Sequence, residues 1–310
     1  MFLNSVDPVK GYRYIGMFVY PTNIISNIVQ QNVNKRMVNF AKFHAWLSVN
    51  ETTPIDIKLM VLDSACLGAI LYASECWGNI DYIAGKLKEK ELTALHAVLK
   101  VKRGTTIDLI YHELGRCSIV AKIYDRQFNF FQKISNMSAD DAIVKLMIEK
   151  FIGCEMLTHY ETLRDKNGIR EIEEREQRIR TSTNSMCMYY CNLQLLDKSV
   201  IYNSMISDYH RTVISRWRLS NHRLNIETGR YTKPKTKRED RVCTLCNVLE
   251  DERHVIFTCP RYHQVRNENK HLIDDRDITQ FLNPSFELIK DTANFIKGIE
   301  SRRVELKLNT

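Results

Sequence analysis

Glycine and proline are both scarce in this chain, with 11 glycines and 6 prolines among 310 residues. Because these two residues form most tight turns, so few of them leave little room for an all-β architecture with many turns. Hydrophobic residues make up 44% and charged residues 26%, which is typical of folded globular chains and not of disordered ones. The composition therefore predicts a mainly α fold, and the length predicts two or three domains.

Long apolar runs are also missing. The most apolar segment, Leu59–Trp77, carries Asp63 and Glu75. Its unbroken apolar run, Ala65–Ala73, is about half as long as a membrane span requires. From these absences we expect a soluble chain without a membrane partner.

The cysteines do not form the dense framework of a small secreted protein. There are nine, and they are scattered except for one cluster near the C-terminal end. The first ten residues include Asp7 and Pro8, where a signal peptide would have an apolar stretch. We therefore expect a reducing compartment, either nuclear or cytoplasmic.

Acidic residues are rare in one stretch, Arg211–Arg241, which holds three of them against ten lysines and arginines. Its net charge of +7 is nearly the whole formal charge of +8 on the chain. Such a block is either a solvated face or a surface for phosphates. The ten basic residues of this basic segment are Arg211, Arg216, Arg218, Arg223, Arg230, Lys233, Lys235, Lys237, Arg238 and Arg241.

Aromatic side chains are interleaved with these cations. Trp217, His222 and Tyr231 lie within the basic segment, and rings of this kind stack on unpaired bases. Cations that neutralise phosphates beside rings that stack on bases are typical of nucleic-acid-binding proteins. We therefore predict that the basic segment binds nucleic acid.

Directly after the basic segment, four residues with metal-binding side chains follow the spacing C-x2-C-x7-H-x4-C: Cys243, Cys246, His254 and Cys259. Two cysteines separated by two residues can direct both sulfurs at one ion, and the loop that follows lets the other two ligands complete a tetrahedron. Four protein ligands leave no position for water, so the pattern predicts structural Zn²⁺ and not a catalytic metal. The alternative is that these cysteines are simply buried apolar residues.

Local patterns along the chain predict one hairpin and a series of helices. Aromatic and β-branched residues alternate in Gly11–Pro21, as in a short β-hairpin. Gly85 is expected to separate two helices, and Gly115 to end a later one. Helices are predicted over Asn23–Trp46, Thr53–Cys76, Lys86–Leu99, Ile119–Ile134, Val200–Leu219 and Pro260–Leu272, with two more within Phe281–Leu306.

Two motifs could be mistaken for functional sites. Ser138–Asp141 contains the A-D-D of polymerase metal sites, but it precedes a helical pattern and fits an N-terminal capping box. Cys187 and Cys191 would share a helix face and could bind a metal with a distant histidine, but apolar neighbours favour packing. We assign no catalytic residue to either motif.

Five stretches, in order along the chain, are similar to motifs of one family. They are Y-R-Y-I-G at Tyr12–Gly16, L-Y-A-S-E-C-W-G at Leu71–Gly78, V-K-R-G-T-T with Y-H-E-L-G-R within Val101–Arg116, I-E-T-G-R-Y at Ile226–Tyr231, and R-x-C-x-x-C with H-x4-C-P-x-Y within Arg241–Tyr262. Together they resemble the C-terminal third of reverse transcriptases from non-LTR (LINE-type) retrotransposons. Ala73 and Cys76 depart from the glycine and valine of the family motif.

The resemblance implies which parts of such an enzyme this chain contains. The polymerase palm of the family, with its F-A-D-D or Y-A-D-D turn, and the endonuclease would both precede Tyr12. We therefore expect a truncated copy or fragment without catalytic residues: the thumb, the helical connection and the terminal zinc knuckle. An alternative is part of an active RNA-directed DNA polymerase whose upstream region is missing from the sequence. A second alternative is a zinc-stabilised scaffold for protein interactions.

The resemblance also implies partners. A thumb-like domain would follow a primer–template duplex through Lys35, Arg36 and Lys42, and the knuckle would present Arg241, Arg253 and Arg261 to nucleic acid. The expected ligands are template RNA and target DNA, with no small-molecule substrate. 

The predicted fold is mainly α, with an N-terminal β-hairpin, a helical thumb-like domain, a helical linker and a small Cys3His zinc knuckle with flanking helices. The nearly fully charged segment Ile169–Arg180 is expected to be a solvent-exposed helix or linker. The expected parts are the hairpin at 1–22, the thumb-like domain at 23–136, the connection at 137–210, the basic segment and knuckle at 211–272, and C-terminal helices at 273–310.

Overall fold

A computed structural model of the chain describes residues 12–14, 17–19, 25–136, 163–182, 190, 200–306 and 308. This part of the chain is mainly helical, as the composition predicted. The expected capping box at Ser138–Asp141 and the pair Cys187 and Cys191 lie outside the described residues.

The α-helices of the described residues vary widely in length. They are α1 Ile25–Arg36, α2 Val38–Val49, α3 Ile55–Val61, α4 Gly68–Leu71, α5 Asp81–Leu99, α6 Ile107–Glu113, α7 Ile119–Ser135, α8 Gly168–Thr181, α9 Asp208–Arg218, α10 Asn225–Thr228, α11 His263–Glu268, α12 Ile278–Leu282 and α13 Ile289–Glu305. Short 3-10 turns lie at Ser74–Cys76, Val200–Tyr202, Arg238–Asp240, Pro260–Tyr262, Lys270–Leu272 and Phe286–Leu288, and wider π-type turns at Leu62–Leu67 and His254–Thr258.

Two three-residue strands, β1 Tyr12–Tyr14 and β2 Met17–Val19, pair antiparallel near the N-terminus. Tyr12 lies opposite Val19, and Tyr14 lies opposite Met17. The residues that would join the strands, 15–16, are outside the described part of the chain. The N-terminal hairpin therefore stays a prediction.

Several helix boundaries differ from the sequence-based prediction. The single helix expected over Asn23–Trp46 is two helices, α1 and α2, separated at Met37. Gly85 lies inside α5 and does not separate two helices, because a glycine within a well-packed helix costs only about 1 kcal/mol. Gly115 does end α6, with a φ of 60° that favours glycine.

The chain divides into two compact units that are discontinuous in sequence. The first unit comprises Met1–Val49, Leu59–Ala94 and Cys117–Glu174. The second unit comprises Asn50–Lys58, Leu95–Arg116 and Arg175–Thr310. Each unit therefore combines segments from several of the five parts that were expected from the sequence.

The first unit packs apolar side chains of α1 and α2 with those of α4. Val33, Phe40, Phe43 and Ile70 are all buried. Polar side chains satisfy the backbone at its turns: the Gln127 side-chain amide donates to the carbonyl oxygens of Ser74 and Gly78, at 3.2 and 2.9 Å. These hydrogen bonds fix the L-Y-A-S-E-C-W-G stretch against α7.

The second unit is built around α9 and α13, and its core contains a buried ionic network. Glu113 accepts hydrogen bonds from Nε and Nη2 of Arg218, at 2.8 and 3.0 Å. The hydroxyls of Tyr190 and Tyr202 donate to the same carboxylate at 2.6 and 2.7 Å. Every oxygen of Glu113 is thus satisfied, which is what a buried carboxylate requires.

The charged segment Ile169–Arg180 is helical, as expected, but one of its cations is not solvated. Arg175 is buried, donates to the carbonyl oxygen of Arg116 at 2.6 Å and lies 5.0 Å from the ring centroid of Tyr111. This correction follows from tertiary packing: Tyr111 supplies an aromatic face that a local charge pattern cannot reveal.

Membrane insertion has no support from the described helices. None of them combines the length and the low polarity that a bilayer span requires.

Candidate metal centre and basic surface

The first two metal-ligand candidates lie on a tight loop at the start of the knuckle. Val242 and Leu249 pair antiparallel, and the backbone N–H of Cys243 donates to the carbonyl oxygen of Val248 at 2.7 Å. Asn247 adopts a left-handed φ of 54° and donates to the carbonyl oxygen of Cys243 at 2.8 Å. Asparagine tolerates this conformation, so the loop can reverse within a few residues.

The other two candidates lie at the ends of one wide turn. The backbone N–H of Cys259 donates to the carbonyl oxygen of His254 at 2.8 Å, five residues back, as in a π-helix. Asp251 begins this turn by accepting the N–H of His254 at 2.8 Å. Pro260 then prevents the helix from continuing in the same register.

The four candidates converge on one point. One ligand atom from each of Cys243, Cys246, His254 and Cys259 lies within 4.8 Å of the others. The sulfur of Cys259 is 3.9 Å from the sulfurs of both Cys243 and Cys246. Zinc–sulfur bonds of about 2.3 Å in a tetrahedron would place two sulfurs about 3.8 Å apart. These residues could therefore hold a metal ion, and the geometry is consistent with zinc.

The histidine is prepared for such an ion. Its Nδ1 lies 3.0 Å from Oγ1 of Thr258, which in turn donates to the carbonyl oxygen of His254 at 3.1 Å. With the hydroxyl proton directed at that carbonyl oxygen, Nδ1 carries the ring proton and Nε2 has a free lone pair. Nε2 is buried and has no hydrogen-bond partner. An imidazole whose second nitrogen is held by a hydrogen bond is the usual form of a histidine ligand.

Burial affects the protonation of the candidate ligands. It lowers the pKa of His254, which favours the neutral ring. It raises the pKa of the Cys259 thiol to about 12. For Cys243, burial alone would raise the pKa, but the backbone N–H groups of Leu245 and Cys246 outweigh it and the net shift is downward. A bound cation would stabilise all three thiolates.

Acidic residues between the ligands anchor the knuckle within the second unit. Glu250 pairs with Arg303 of α13, which also donates to the hydroxyl of Tyr262 at 3.1 Å. Glu252 lies 2.7 Å from Nε2 of His222. This role of Glu250 and Glu252 was not predicted from the sequence. The only local signal is the acidic run Glu250–Glu252 within an otherwise basic stretch.

Four residues that the sequence assigned to nucleic-acid contacts lie in the core. Trp217 is 1% exposed, and its Nε1 donates to Glu300 at 3.2 Å. Arg211 pairs with Asp208 at 2.6 Å, Arg218 pairs with Glu113, and His222 lies against Glu252. A buried ring has no face for a base, and a paired, buried cation does not reach a phosphate. The contact surface is therefore corrected to exclude Arg211, Trp217, Arg218 and His222.

Other members of the basic segment support the fold with part of their side chains. Arg241 donates to the carbonyl oxygens of Thr236 and Ile226, at distances of 2.8–3.0 Å. Nε of Arg230 lies 3.2 Å from Glu227. Arg216 donates from Nε to the carbonyl oxygen of Lys100 at 3.0 Å.

The remaining cations of the basic segment are on the surface. Tyr231, 62% exposed, begins a basic loop, Tyr231–Arg238, on which every lysine is exposed. The loop is held by Arg241 at one end and by the backbone N–H of Thr236, which donates to Oγ1 of Thr232 at 2.9 Å. The exposed members are Arg223, Tyr231, Lys233, Lys235, Lys237 and Arg238.

Around the knuckle itself, Arg253 is exposed and Arg261 is half-buried. Nη2 of Arg261 donates to Oγ1 of Thr244 at 2.6 Å, so it bridges the loop between the first two cysteines. The remaining predicted contacts belong to the first unit. Lys35 and Lys42 are exposed there, whereas Arg36 donates to the carbonyl oxygen of Tyr72 at 3.3 Å and covers its ring.

Comparison with family models, with curated proteins and with solved structures finds no match to this chain.

Proposed function

We propose that this chain is a nucleic-acid-binding module in which structural zinc holds a knuckle beside a basic loop. The observation that carries the proposal is the basic loop. Lys233, Lys235 and Lys237 are exposed, and no carboxylate pairs with them among the described residues. Cations that folding leaves without partners are available to phosphates. The Cys3His group supports the zinc, because its four ligand atoms lie within 4.8 Å of one another.

The module would bind backbone phosphates and exposed bases without recognising a sequence. Lysines provide flexible point charges, which suit phosphates in varied positions. The exposed ring of Tyr231 can stack on an unpaired base, which typically contributes about 1–3 kcal/mol. Exposed Arg253 adds a further cation at the knuckle.

We infer further that this module corresponds to the C-terminal part of a LINE-type reverse transcriptase, with the thumb, the connection and the knuckle. What supports this is the order of the five similar sequence stretches described above. In such an enzyme the module would hold template RNA and target DNA, and it would act by binding and not by catalysis. Lys35 and Lys42 would contribute to duplex contacts from the first unit.

Charge reversal on the basic loop tests the binding. The variant Lys233→Glu, Lys235→Glu, Lys237→Glu should bind a fluorescent single-stranded RNA of mixed sequence at least about tenfold more weakly, as measured by anisotropy. A matched control reverses three exposed cations elsewhere in the second unit: Arg180, Lys270 and Lys290. Equal losses in the two variants would indicate a general charge effect and contradict a localised binding loop. Unchanged binding in both would favour a protein-interaction scaffold.

A further inference from the structure

Apart from the metal centre, the second unit contains a cleft of about 470 Å³. This volume falls within the range of about 300–1,000 Å³ that is typical of small-ligand sites. The lining combines cations, including Lys102, Arg216 and Arg223, with apolar side chains at the C-terminal end of α13. The charge of the cations and the exposure of the apolar side chains together determine which ligand the cleft can bind.

Part of the positive charge that lines the cleft is not neutralised: Lys100 and Arg303 are paired with Asp208 and Glu250, but other cations are not. Lys102 and Arg223 are exposed, and neither has a carboxylate partner among the described residues. Arg216 donates from Nε to the carbonyl oxygen of Lys100 at 3.0 Å, which orients its guanidinium group without cancelling the charge. The acidic side chain in the lining, Glu300, is already bound by Lys297 at 2.6 Å. The cleft can therefore accept an anion, and arginine favours a phosphate in particular.

The apolar part of the cleft faces solvent. Val304 is 60% exposed although it is a large hydrophobic residue, and Leu308 also lines the cleft. The ring of Trp217 lies behind this surface and, at 1% exposed, offers no face to a ligand. Cations beside an accessible apolar surface match a ligand that carries both a phosphate and a flat, weakly polar ring.

The cleft is continuous with the surface that leads to the basic loop. Lys102, Asn221 and His222 line both the cleft and a small adjoining pocket of about 20 Å³. Tyr231 lines this second pocket, close to Gly104. Since Tyr231 begins the basic loop, a strand bound along that loop would lead directly to the cleft.

We propose that the cleft binds one unpaired nucleotide of a single-stranded nucleic acid. Lys102, Arg216 and Arg223 bind its phosphate, and its base lies against Val304 and Leu308. This inference rests on the proposed nucleic-acid-binding function, and it adds a second site with a defined ligand class. The shared chemistry is a nucleoside monophosphate, which a strand or a free nucleotide could supply.

Neutralising two exposed cations tests the cleft in the full zinc-loaded chain. The variant Lys102→Gln, Arg223→Gln removes two phosphate contacts at positions whose side chains are exposed, so the fold should be retained. The control, Lys270→Gln with Lys290→Gln, changes the net charge equally at exposed positions outside the cleft. Thermal unfolding of both variants verifies that each is folded before binding is measured.

Calorimetry with adenosine 5′-monophosphate, adenosine and inorganic phosphate measures what the cleft recognises. The wild-type and control chains should bind the monophosphate more tightly than either of its halves, and the cleft variant should bind it about tenfold more weakly. Identical affinities in the cleft and control variants would overturn the proposal. So would equal affinities for the monophosphate and inorganic phosphate, since the base would then have no site.

A second arm compares a ten-nucleotide single strand with a blunt duplex, using anisotropy. The proposal expects the cleft variant to lose affinity for the single strand and to keep its affinity for the duplex within about twofold. If the cleft variant loses affinity for the monophosphate but keeps its affinity for the single strand, the cleft does not bind a nucleotide of a strand. It is then a site for free nucleotides. In another outcome, reversing the charges of the basic loop leaves the affinity for RNA unchanged while the cleft variant loses affinity for the monophosphate. That combination would reject the proposed function of the basic loop but not the nucleotide site in the cleft.

Discussion

Glu113 and Arg218 form an ion pair in which neither side chain is exposed to solvent. Removing one partner from such a pair leaves an uncompensated charge in a medium of low polarity, which usually costs about 3–5 kcal/mol. Exposed charges have no such penalty, because water solvates them in the folded and the unfolded chain alike. Two arginines of the same basic segment can therefore have opposite roles, one structural and one available for binding.

Replacing Arg218 with alanine should lower the free energy of unfolding by about 3–5 kcal/mol, since Glu113 would lose its buried cation. Denaturation with urea measures the change. Arg223→Ala, at an exposed position of the same segment, is the control and should shift stability by no more than about 0.5 kcal/mol. Similar stabilities for the two variants would contradict the structural assignment of Arg218.

The carboxylate of Asp208 predicts a pH dependence. Burial alone would raise its pKa, but Arg211, Lys100 and Lys58 outweigh this effect, and the pKa in the folded chain is lowered. A depressed pKa contributes stability above the unfolded value of about 3.9, and this contribution is lost as the pH falls through the folded pKa.

Asp208→Asn should therefore be clearly less stable than the wild type at neutral pH, and the difference should narrow below about pH 4. Urea denaturation at a series of pH values measures it. Comparison of the two chains removes contributions that they share, including that of the metal centre. A difference that stays constant from neutral pH to pH 3 would show that the carboxylate charge is not what stabilises this cluster.

At the scale of elements, the knuckle has little apolar core of its own. It consists of a tight loop, a π-type turn and a 3-10 turn, and its exposed surface includes Leu245 and Val248. Such a segment depends on cross-links, either the metal or the ion pairs of Glu250 and Glu252. The two contributions can be separated because the ion pairs do not require zinc.

Cys243→Ser should release the zinc and increase hydrogen exchange within residues 241–262, while α1 and α2 of the first unit keep their protection. Elemental analysis should find about one zinc per wild-type chain. Thr244→Ser, a change between the two cysteines that spares the ligands, serves as the control. Absence of zinc from the purified wild-type chain would contradict the metal assignment.

Local sequence patterns predicted that most of these elements are helices, but they predicted less well the residues at which the helices begin and end. Gly115 ends α6 because a left-handed residue is needed there, and that requirement is local. The helix break predicted at Gly85 was wrong, because the packing of α5 outweighs the low helix propensity of one glycine. The break at Met37 and the π-type turn at Leu62–Leu67 have no strong sequence signal.

At the scale of the whole molecule, the excess positive charge is divided between core and surface. Arg211 and Arg218 are buried and paired, whereas the lysines of the basic loop face solvent. Net charge in a segment therefore overstates the number of cations that a nucleic acid can reach. Counterion release depends on the reachable cations alone.

The affinity for single-stranded RNA should fall linearly on a plot of its logarithm against the logarithm of salt concentration, with a slope of about −0.7 for each phosphate contact. The loop variant with Lys233, Lys235 and Lys237 reversed should show a slope less steep by about 2. Anisotropy at 50–300 mM salt gives both slopes. Parallel slopes for variant and wild type would show that these lysines do not contact phosphates.

By itself, the sequence determined the mainly helical class, the four converging ligand candidates and the position of the positive charge. These features depend on residue type and short spacing, which folding does not alter. Tertiary structure decided which cations and which rings are available, because burial depends on distant partners such as Glu113 for Arg218 and Glu300 for Trp217. It likewise decided that the second unit joins Asn50–Lys58 and Leu95–Arg116 to the C-terminal half, since contacts between remote segments leave no trace in local pattern.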